Sequence, residues 1–362
     1  MTSAIKSYSY DDLAALVASL DQPRFRTDQL VHWLYGQGVS SYQEMTNLPK
    51  TFREILAQDY PLFSPRVVNQ QTSQDGTRKY VLEFEDGARV ETVAIPNYEV
   101  ENDASSSSSS EADERPSSRK KRLTACLSTQ VGCAMECSFC ASGMEGFTRN
   151  LLPGEIIDQI HVIQRDFDAR VSNLVIMGQG EAFLNHDNTL AALRYANSPK
   201  ALEIGARHIT ISTCGILGGI SRLAREPEQF TLAVSLHSAE QAVRDKLMPR
   251  VSNAPLPELK KVLQDYVKHS GRRVSLEYLL IKGLTDTKQA QQSLVAFCEG
   301  LLCHVNLLPI NAVVDSSFQP SSPSLMKSWE HALQQAGIPV SIRNSRGSDI
   351  DGACGQLKNA CK

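Results

Sequence analysis

Apolar positions along this chain recur with two different periods, and the change from one to the other divides it. From residue 8 to 58 they return every three to four positions, in DDLAALVASL, TDQLVHWLYGQ and TFREILAQ. That period predicts three short amphipathic helices, separated where Pro23, Gly36, Gly38 and Pro49 interrupt it. KYVLEFEDGARVETVAI (79–95) has period two on both sides of Asp86-Gly87, which predicts a β-hairpin. From residue 123 the periods alternate. β-branched runs lie at 123–129, 171–177, 207–213, 230–236, 273–281 and 304–310. Helical stretches fit 153–167, 187–197, 216–225, 239–247, 256–269, 287–301 and 324–336. The helix at 153–167 has Pro153 at its start and apolar residues at 156, 157, 160, 163 and 167. Such alternation predicts a parallel sheet of βαβ units. About 220 residues are too few for eight units. The expected fold class is α/β, a partial (β/α)6 barrel with a small N-terminal helical domain and a β-hairpin extension. A last run at 339–343 would join a sheet edge.

The expected organisation is a helical accessory domain (1–60), a hairpin extension (61–98), a flexible loop (99–122), the partial barrel (123–343) and a C-terminal segment (344–362). The loop carries six consecutive serines in an acidic flank, then RPSSRKKR. That composition predicts a solvated insertion, with RNA-phosphate contact by its basic half as the alternative.

Composition narrows the class. With 41% apolar and 21% charged residues among 362, this is an ordinary globular chain. No window reaches 18 apolar residues and the N-terminus lacks a signal-peptide pattern, so a cytoplasmic protein without membrane association is expected. Nine cysteines, an odd number, argue for metal or redox chemistry over a disulfide framework. The net charge of −3 excludes a generally basic nucleic-acid coat but not a local basic groove.

Ligands of such sheets bind at the carboxyl ends of the strands. Those ends carry a cysteine loop, MGQGEAFLN, Ser212-Thr213-Cys214, Ser235-Leu236-His237 and Pro309-Ile310-Asn311. In the loop, Cys133, Cys137 and Cys140 have C-x3-C-x2-C spacing. Three thiolates can each hold one iron of a [4Fe–4S] cubane and leave the fourth iron open. Zinc prefers four closed ligands in paired C-x2-C units, and no second pair is present. Inert packing thiols are the third reading.

This spacing after a first barrel strand resembles radical S-adenosylmethionine (SAM) enzymes. CLSTQVGCAMECSFCASGMEGFTRNL, MGQGEAFLN, ITISTCG, AVSLHSA, DKLMP, LEYLLIKGLTD, NLLPIN, RGSDIDGACGQL and VETVAIP together resemble the RlmN/Cfr group of RNA adenine methyltransferases, over roughly residues 10–358. The resemblance implies that Cys133, Cys137 and Cys140 hold the cluster, and that Gly180 and Glu181 meet the SAM amino end. It implies that Ser212, Ser235, Leu236, His237 and Asn311 complete the SAM pocket. It makes Cys354 the cysteine that is itself methylated, Cys126 its redox partner and Glu91 a proton acceptor. The bland alternatives are a spare thiol at 354, a solvent-facing Glu91 and a packing His237. Cys214, Cys298, Cys303 and Cys361 receive no role beyond packing or surface.

The chemistry accounts for two cysteines. An sp² carbon of adenine is electrophilic and offers no lone pair to a SAM methyl group, so simple displacement fails. The implied route uses two SAM per turnover: one methylates Cys354, and the second yields the radical that activates that methyl group. Cys126 then removes the ring proton and attacks Cys354, and their disulfide releases the product. The implied substrates are C2 of an adenine in 23S rRNA and adenine 37 of tRNA. The implied partners are those RNAs and an electron donor such as a flavodoxin, with the enzyme a monomer. C8 specificity and a zinc-stapled RNA-binding module are the rival readings. Two departures stand out: Ala182-Phe183 where the family has Pro-Leu, and the serine-rich insertion.

Overall fold

The computed structural model describes residues 4–97, 122–311 and 318–358. The serine-rich stretch and Cys361 therefore lie outside the described residues, apart from Arg122. The N-terminal helices are α1 (Tyr10–Ser19), α2 (Phe25–Val31) and α3 (Lys50–Asp59). α2 runs into a π-helical turn, His32–Gln37, which ends at Gly38 with φ of 62°. Three antiparallel strands follow, β1 (Arg66–Thr72), β2 (Arg78–Glu83) and β3 (Arg89–Asn97), then β4 (Arg122–Cys126). A separate two-stranded ribbon of β5 (Gln130–Gly132) and β6 (Phe147–Asn150) brackets the short α4 (Ala141–Met144).

The βα repeats then run α5 (Pro153–Phe167), β7 (Asn173–Ile176), α6 (His186–Asn197), β8 (Ile209–Thr213), α7 (Leu217–Leu223) and β9 (Thr231–Ser235). They continue through α8 (Gln241–Leu247), α9 (Leu256–Ser270), β10 (Val274–Leu280), α10 (Lys288–Cys298), β11 (Cys303–Pro309), α11 (Pro323–Gln335) and β12 (Val340–Ile342). All six long runs form the expected parallel strands, and β12 adds in parallel to β11 at the edge.

The expected hairpin is β2–β3, but it is not a separate appendage. β3 pairs with β4, so one open ten-stranded sheet runs β1-β2-β3-β4-β7-β8-β9-β10-β11-β12. β1 has no counterpart in the sequence reading. RVVNQQT is mostly exposed, and a strand without an apolar face leaves no period-two signal.

Strand alternation sends the two faces of this region to different environments. Tyr80, Leu82, Val90, Ala94, Leu123 and Ala125 enter the main core. Val93 and Cys126 point the other way, where they pack with Leu357 of the C-terminal segment. The helices that cover the first face begin with local caps. At α5, Pro153 opens the first turn and the Glu155 carboxylate accepts from Leu152 N–H at 2.8 Å. At α11, Ser322 Oγ accepts from Leu325 N–H at 3.2 Å.

The N-terminal unit docks on α5 and α6. Tyr35 stacks on Tyr195 at 3.7 Å between ring centroids. Lys6 and Asp158 form a buried ion pair at 2.7 Å. Burial alone would raise the Asp158 carboxyl, but Lys6 and His161 hold it below its ordinary range. Replacing Lys6 with Met leaves that carboxylate buried with His161 as its remaining partner. The expected cost is about 3–5 kcal/mol, read as a lower midpoint in urea denaturation.

Candidate active site

The cysteine loop hangs between β5 and β6. Gly132 has φ of 73°, and a Cβ there would lie 1.9 Å from the Gly146 carbonyl oxygen, so the turn into the loop admits only glycine. Cys133 N–H donates to that same carbonyl at 2.8 Å, and Cys140 N–H donates to the Cys137 carbonyl at 3.1 Å. Cys133 and Cys137 are buried and Cys140 half-buried, in one apolar cluster with Met135, Met248, Leu279 and Ile281. Burial pushes the Cys133 thiol up to about 12 and raises Cys140 as well. Iron would displace those protons on binding.

A fourth sulfur, missed at the sequence level, stands beside the three. Cys214 belongs to the same cluster, and its thiol is hydrogen-bonded to that of Cys137. Its signal was present in Ser212-Thr213-Cys214, at a strand end that faces the site. Among the described residues no three His, Cys, Asp or Glu side chains are arranged around a single-ion position. A closed zinc staple asks its ligands to converge on one point. A cubane distributes its thiolates, one to each iron, and this loop fits that demand. When bound, such a cluster supplies one-electron chemistry at its open iron.

The candidate SAM residues line the carboxyl ends of neighbouring strands. Gly180 has φ of 102°, and a Cβ there would meet Gln130 at 2.6 Å. Glu181 is buried. Its N–H donates to Gln130 Oε1 at 2.9 Å, and its carboxylate accepts from Phe183 N–H at 3.0 Å and Cys214 N–H at 2.7 Å. Burial raises this carboxyl, and the two N–H groups oppose that rise. Ser212 and Ser235 are half-buried at the ends of β8 and β9, beside the fully buried Leu236. His237 has φ of 55° and packs edge-on against Phe139 of the cysteine loop, ring centroids 4.8 Å apart. Burial, helped by Arg244, lowers its imidazole to about 3, so it is neutral near pH 7. Arg244 is also buried. Its Nη2 donates to the Cys214 carbonyl at 2.6 Å, while Nε and Nη1 have no hydrogen-bond partner among the described residues.

The C-terminal segment closes this mouth. Ala141 N–H donates to the Gly355 carbonyl at 2.7 Å and Ser142 Oγ to the Leu357 carbonyl at 2.6 Å. Asn311 Nδ2 donates to the Cys354 carbonyl at 3.0 Å, and Asn311 Oδ1 accepts from Ser345 Oγ at 2.6 Å. Cys354 is exposed to solvent. Desolvation by the surrounding protein, then Glu277 and Cys140, raises its thiol to about 11. Burial and then the Cys354 thiol raise Cys126, so these two sulfurs, far apart in sequence, lie within electrostatic range of each other.

Glu91 lies elsewhere than the hairpin's solvent side. It is fully buried, its carboxylate 3.3 Å from Lys79 Nζ and accepting from Lys358 N–H at 2.9 Å. Cys298 and Cys303 are buried and hydrogen-bonded to each other. Cavities of about 550 and 400 Å³ flank the cysteine loop, the first lined by Ser138, Lys246 and Lys282, the second by Cys133, Phe147 and Arg250.

The sequence matches the RlmN-type ribosomal RNA large subunit methyltransferase N-terminal domain over residues 5–61 and the radical SAM superfamily over 127–290. It is 40% identical to a Synechococcus elongatus protein described as "Probable dual-specificity RNA methyltransferase RlmN", across 97% of this chain and 92% of that one. A Geobacillus kaustophilus protein of the same description is 39% identical across 98% and 92%. A radical SAM methyltransferase from Sphaerobacter thermophilus superposes with a TM-score of 0.87 at 38% identity, covering 99% of both chains. The chain belongs to the RlmN family. It is a radical SAM RNA methyltransferase, and membership implies SAM and a [4Fe–4S] cluster. Among the described residues, no helix is long and apolar enough to cross a membrane.

Against that RlmN background the Ala182-Phe183 departure has a structural counterpart. The Phe183 ring lies over Gly219 of α7, where a Cβ would meet it at 2.4 Å, and it stacks on His186. The small residue at 219 makes room for the large one at 183. Gly219→Ala is expected to cost about 1–3 kcal/mol by overpacking. In Phe183→Leu the same change should cost much less, a coupling that a double-mutant cycle in urea measures.

Proposed function

We propose that this enzyme methylates C2 of an adenine in 23S rRNA, and an adenine of tRNA, with Cys354 carrying the methyl group and two SAM consumed per turnover. The observation that supports this most directly is the setting of Cys354: the residues after it bond to the cysteine loop, and its thiol lies within electrostatic range of Cys126. Bound to Cys133, Cys137 and Cys140, the cluster would supply the electron that makes a radical from SAM. The remaining work belongs to the chain. Glu181, Ser212, Ser235, Leu236, His237 and Asn311 orient SAM. Cys354 presents its sulfur at the mouth; after the carbon radical has joined the base, the adduct's odd electron would return to the bound cluster, and Cys126, ionised for the step, takes the ring proton, passes it on and attacks that sulfur as a thiolate. The S–S bond forms, the C–S bond breaks, and its electron pair stays with the carbon, which takes up a proton as the product methyl group. External electrons feed the cluster, a task that suits a small redox protein such as a flavodoxin, and also reduce the disulfide. At rest Cys126 is a dry neutral thiol, which slows its premature closure on Cys354.

The target base must leave its stack to enter this mouth. Lys246, Lys282 and Arg250 on the flanking cavities suit its phosphates. On the N-terminal unit Arg24 and Lys50 are exposed, whereas Arg26 is engaged by Gln29 and the Asn47 carbonyl. Nucleoside mass spectrometry of 23S rRNA and tRNA from a strain lacking the gene tests the proposal. The expected result is loss of 2-methyladenosine from both; loss of 8-methyladenosine instead would overturn the position.

A further inference from the structure

Lys79 on β2 and Glu91 on β3 are a buried ion pair, with side chains 6% and 0% exposed. Lys79 lies opposite Val93, two residues from Glu91, so the charges are diagonal neighbours on one face of the sheet. That face also carries Val93 and Cys126, packed against Leu357. Each member of the pair grips the C-terminal chain as well. Lys79 Nζ donates to the Asp351 carbonyl at 3.2 Å, and Glu91 Oε2 accepts from Lys358 N–H at 2.9 Å. One anchor precedes Cys354 and the other follows it.

Taking two charges out of water consumes most of their mutual attraction, so an apolar pair would hold the sheet together about as well. An apolar pair has no way to bind a carbonyl on one side and an N–H on the other. What these charges add is a defined position for the segment between the two anchors. The turn between β1 and β2 adds to the grip: Ser73 Oγ and Gln74 N–H donate to Asp349, and Gly347 N–H donates to Asp75. Three or four residues span roughly 10–14 Å when extended. Both anchors therefore lie within that distance of Cys354 along the chain.

We propose that the Lys79–Glu91 pair is a latch that keeps Cys354 within reach of Cys126, and that Glu91 is a positioning residue whose carboxylate acts on the protein chain. This rests on the reading that Cys354 carries the methyl group and Cys126 releases it. The latch raises the effective concentration of one thiol at the other by removing the segment's freedom to leave.

Two measurements on the purified holoenzyme test it. The first is hydrogen–deuterium exchange of residues 344–358. The second is the rate at which diamide closes the Cys126–Cys354 disulfide, with the two thiols giving up two electrons and two protons to diamide. In Lys79→Met and in Glu91→Gln, amide exchange near residue 358 should rise at least tenfold and disulfide closure should slow at least tenfold. Lys79→Met/Glu91→Leu leaves no lone buried charge, so it guards against simple misfolding, and it should still raise exchange and slow closure, by no more than either single variant. Lys79→Arg should stay within threefold of the parent. The latch is overturned if Glu91→Gln stops RNA turnover while exchange and disulfide closure remain at parental rates, since Glu91 would then act on the substrate. It is also overturned if the double variant leaves both rates unchanged. Failure of the Cys354 reading would look different: Cys354→Ala would keep methylating RNA, while the exchange effects of Lys79 and Glu91 substitutions would persist.

Discussion

Cys354→Ala is expected to abolish RNA methylation, by at least a thousandfold, while iron content and SAM binding stay at parental levels. The separation follows from how the segment is held. The contacts of residues 354, 355 and 357 with the cysteine loop and Asn311 use their backbone carbonyls. Alanine keeps every one of those carbonyls and removes only the sulfur. A merely structural thiol would show the opposite pattern, with lower stability or iron content and methylation nearly intact. Absorbance near 400 nm after anaerobic purification reports the cluster, titration reports SAM binding, and mass spectrometry reports methylated adenine. Substantial methylation by Cys354→Ala would remove the central residue from the mechanism.

Cys126→Ala should stop turnover at a different point. The bond from Cys354 to the base would then have no attacking thiol, so a covalent protein–RNA adduct should accumulate, at up to one RNA per enzyme. The fold should tolerate the change. The backbone of residue 126 is fixed by pairing with Val93 and Val175, and its carbonyl accepts from Thr92 Oγ1 at 2.8 Å. The side chain packs in a small apolar cluster with Val93 and Leu357, so its truncation should cost about 1–2 kcal/mol. Denaturing gel electrophoresis with labelled RNA separates the adduct from free RNA, and digestion with peptide mapping should place it on Cys354. Free methylated RNA at parental yield, with no adduct, would exclude Cys126 as the releasing thiol.

The parallel repeat was legible because each element carries a strong period. The six β-branched runs and the helices between them all formed close to their expected bounds. β1 was not, because an exposed strand of Arg, Asn, Gln and Thr has no apolar stripe to read. β5 and β6 were hidden for another reason: three- and four-residue strands are shorter than any period that could reveal them. Within the site, Gly132 and Gly180 were visible as glycines, but which atoms forbid a side chain there depends on Gly146 and Gln130. Cys214 was visible as a residue and not as a neighbour of Cys137.

The sequence by itself determined the local chemistry and the order of elements: three thiols in one loop, glycines and polar groups at strand ends, and alternating periods that dictate a βα sheet. These are properties of residues near each other in the chain, where spacing and propensity act directly. The tertiary structure alone decided which distant residues meet. It bonded Lys79 and Glu91 to the chain on either side of Cys354, set Cys126 on the sheet face opposite the main core, and buried Glu91, for which the resemblance implies a proton acceptor, against Lys79 and the Lys358 N–H. Such meetings depend on sheet register and on which face each strand presents. A shift of one residue in register would reverse every one of those faces.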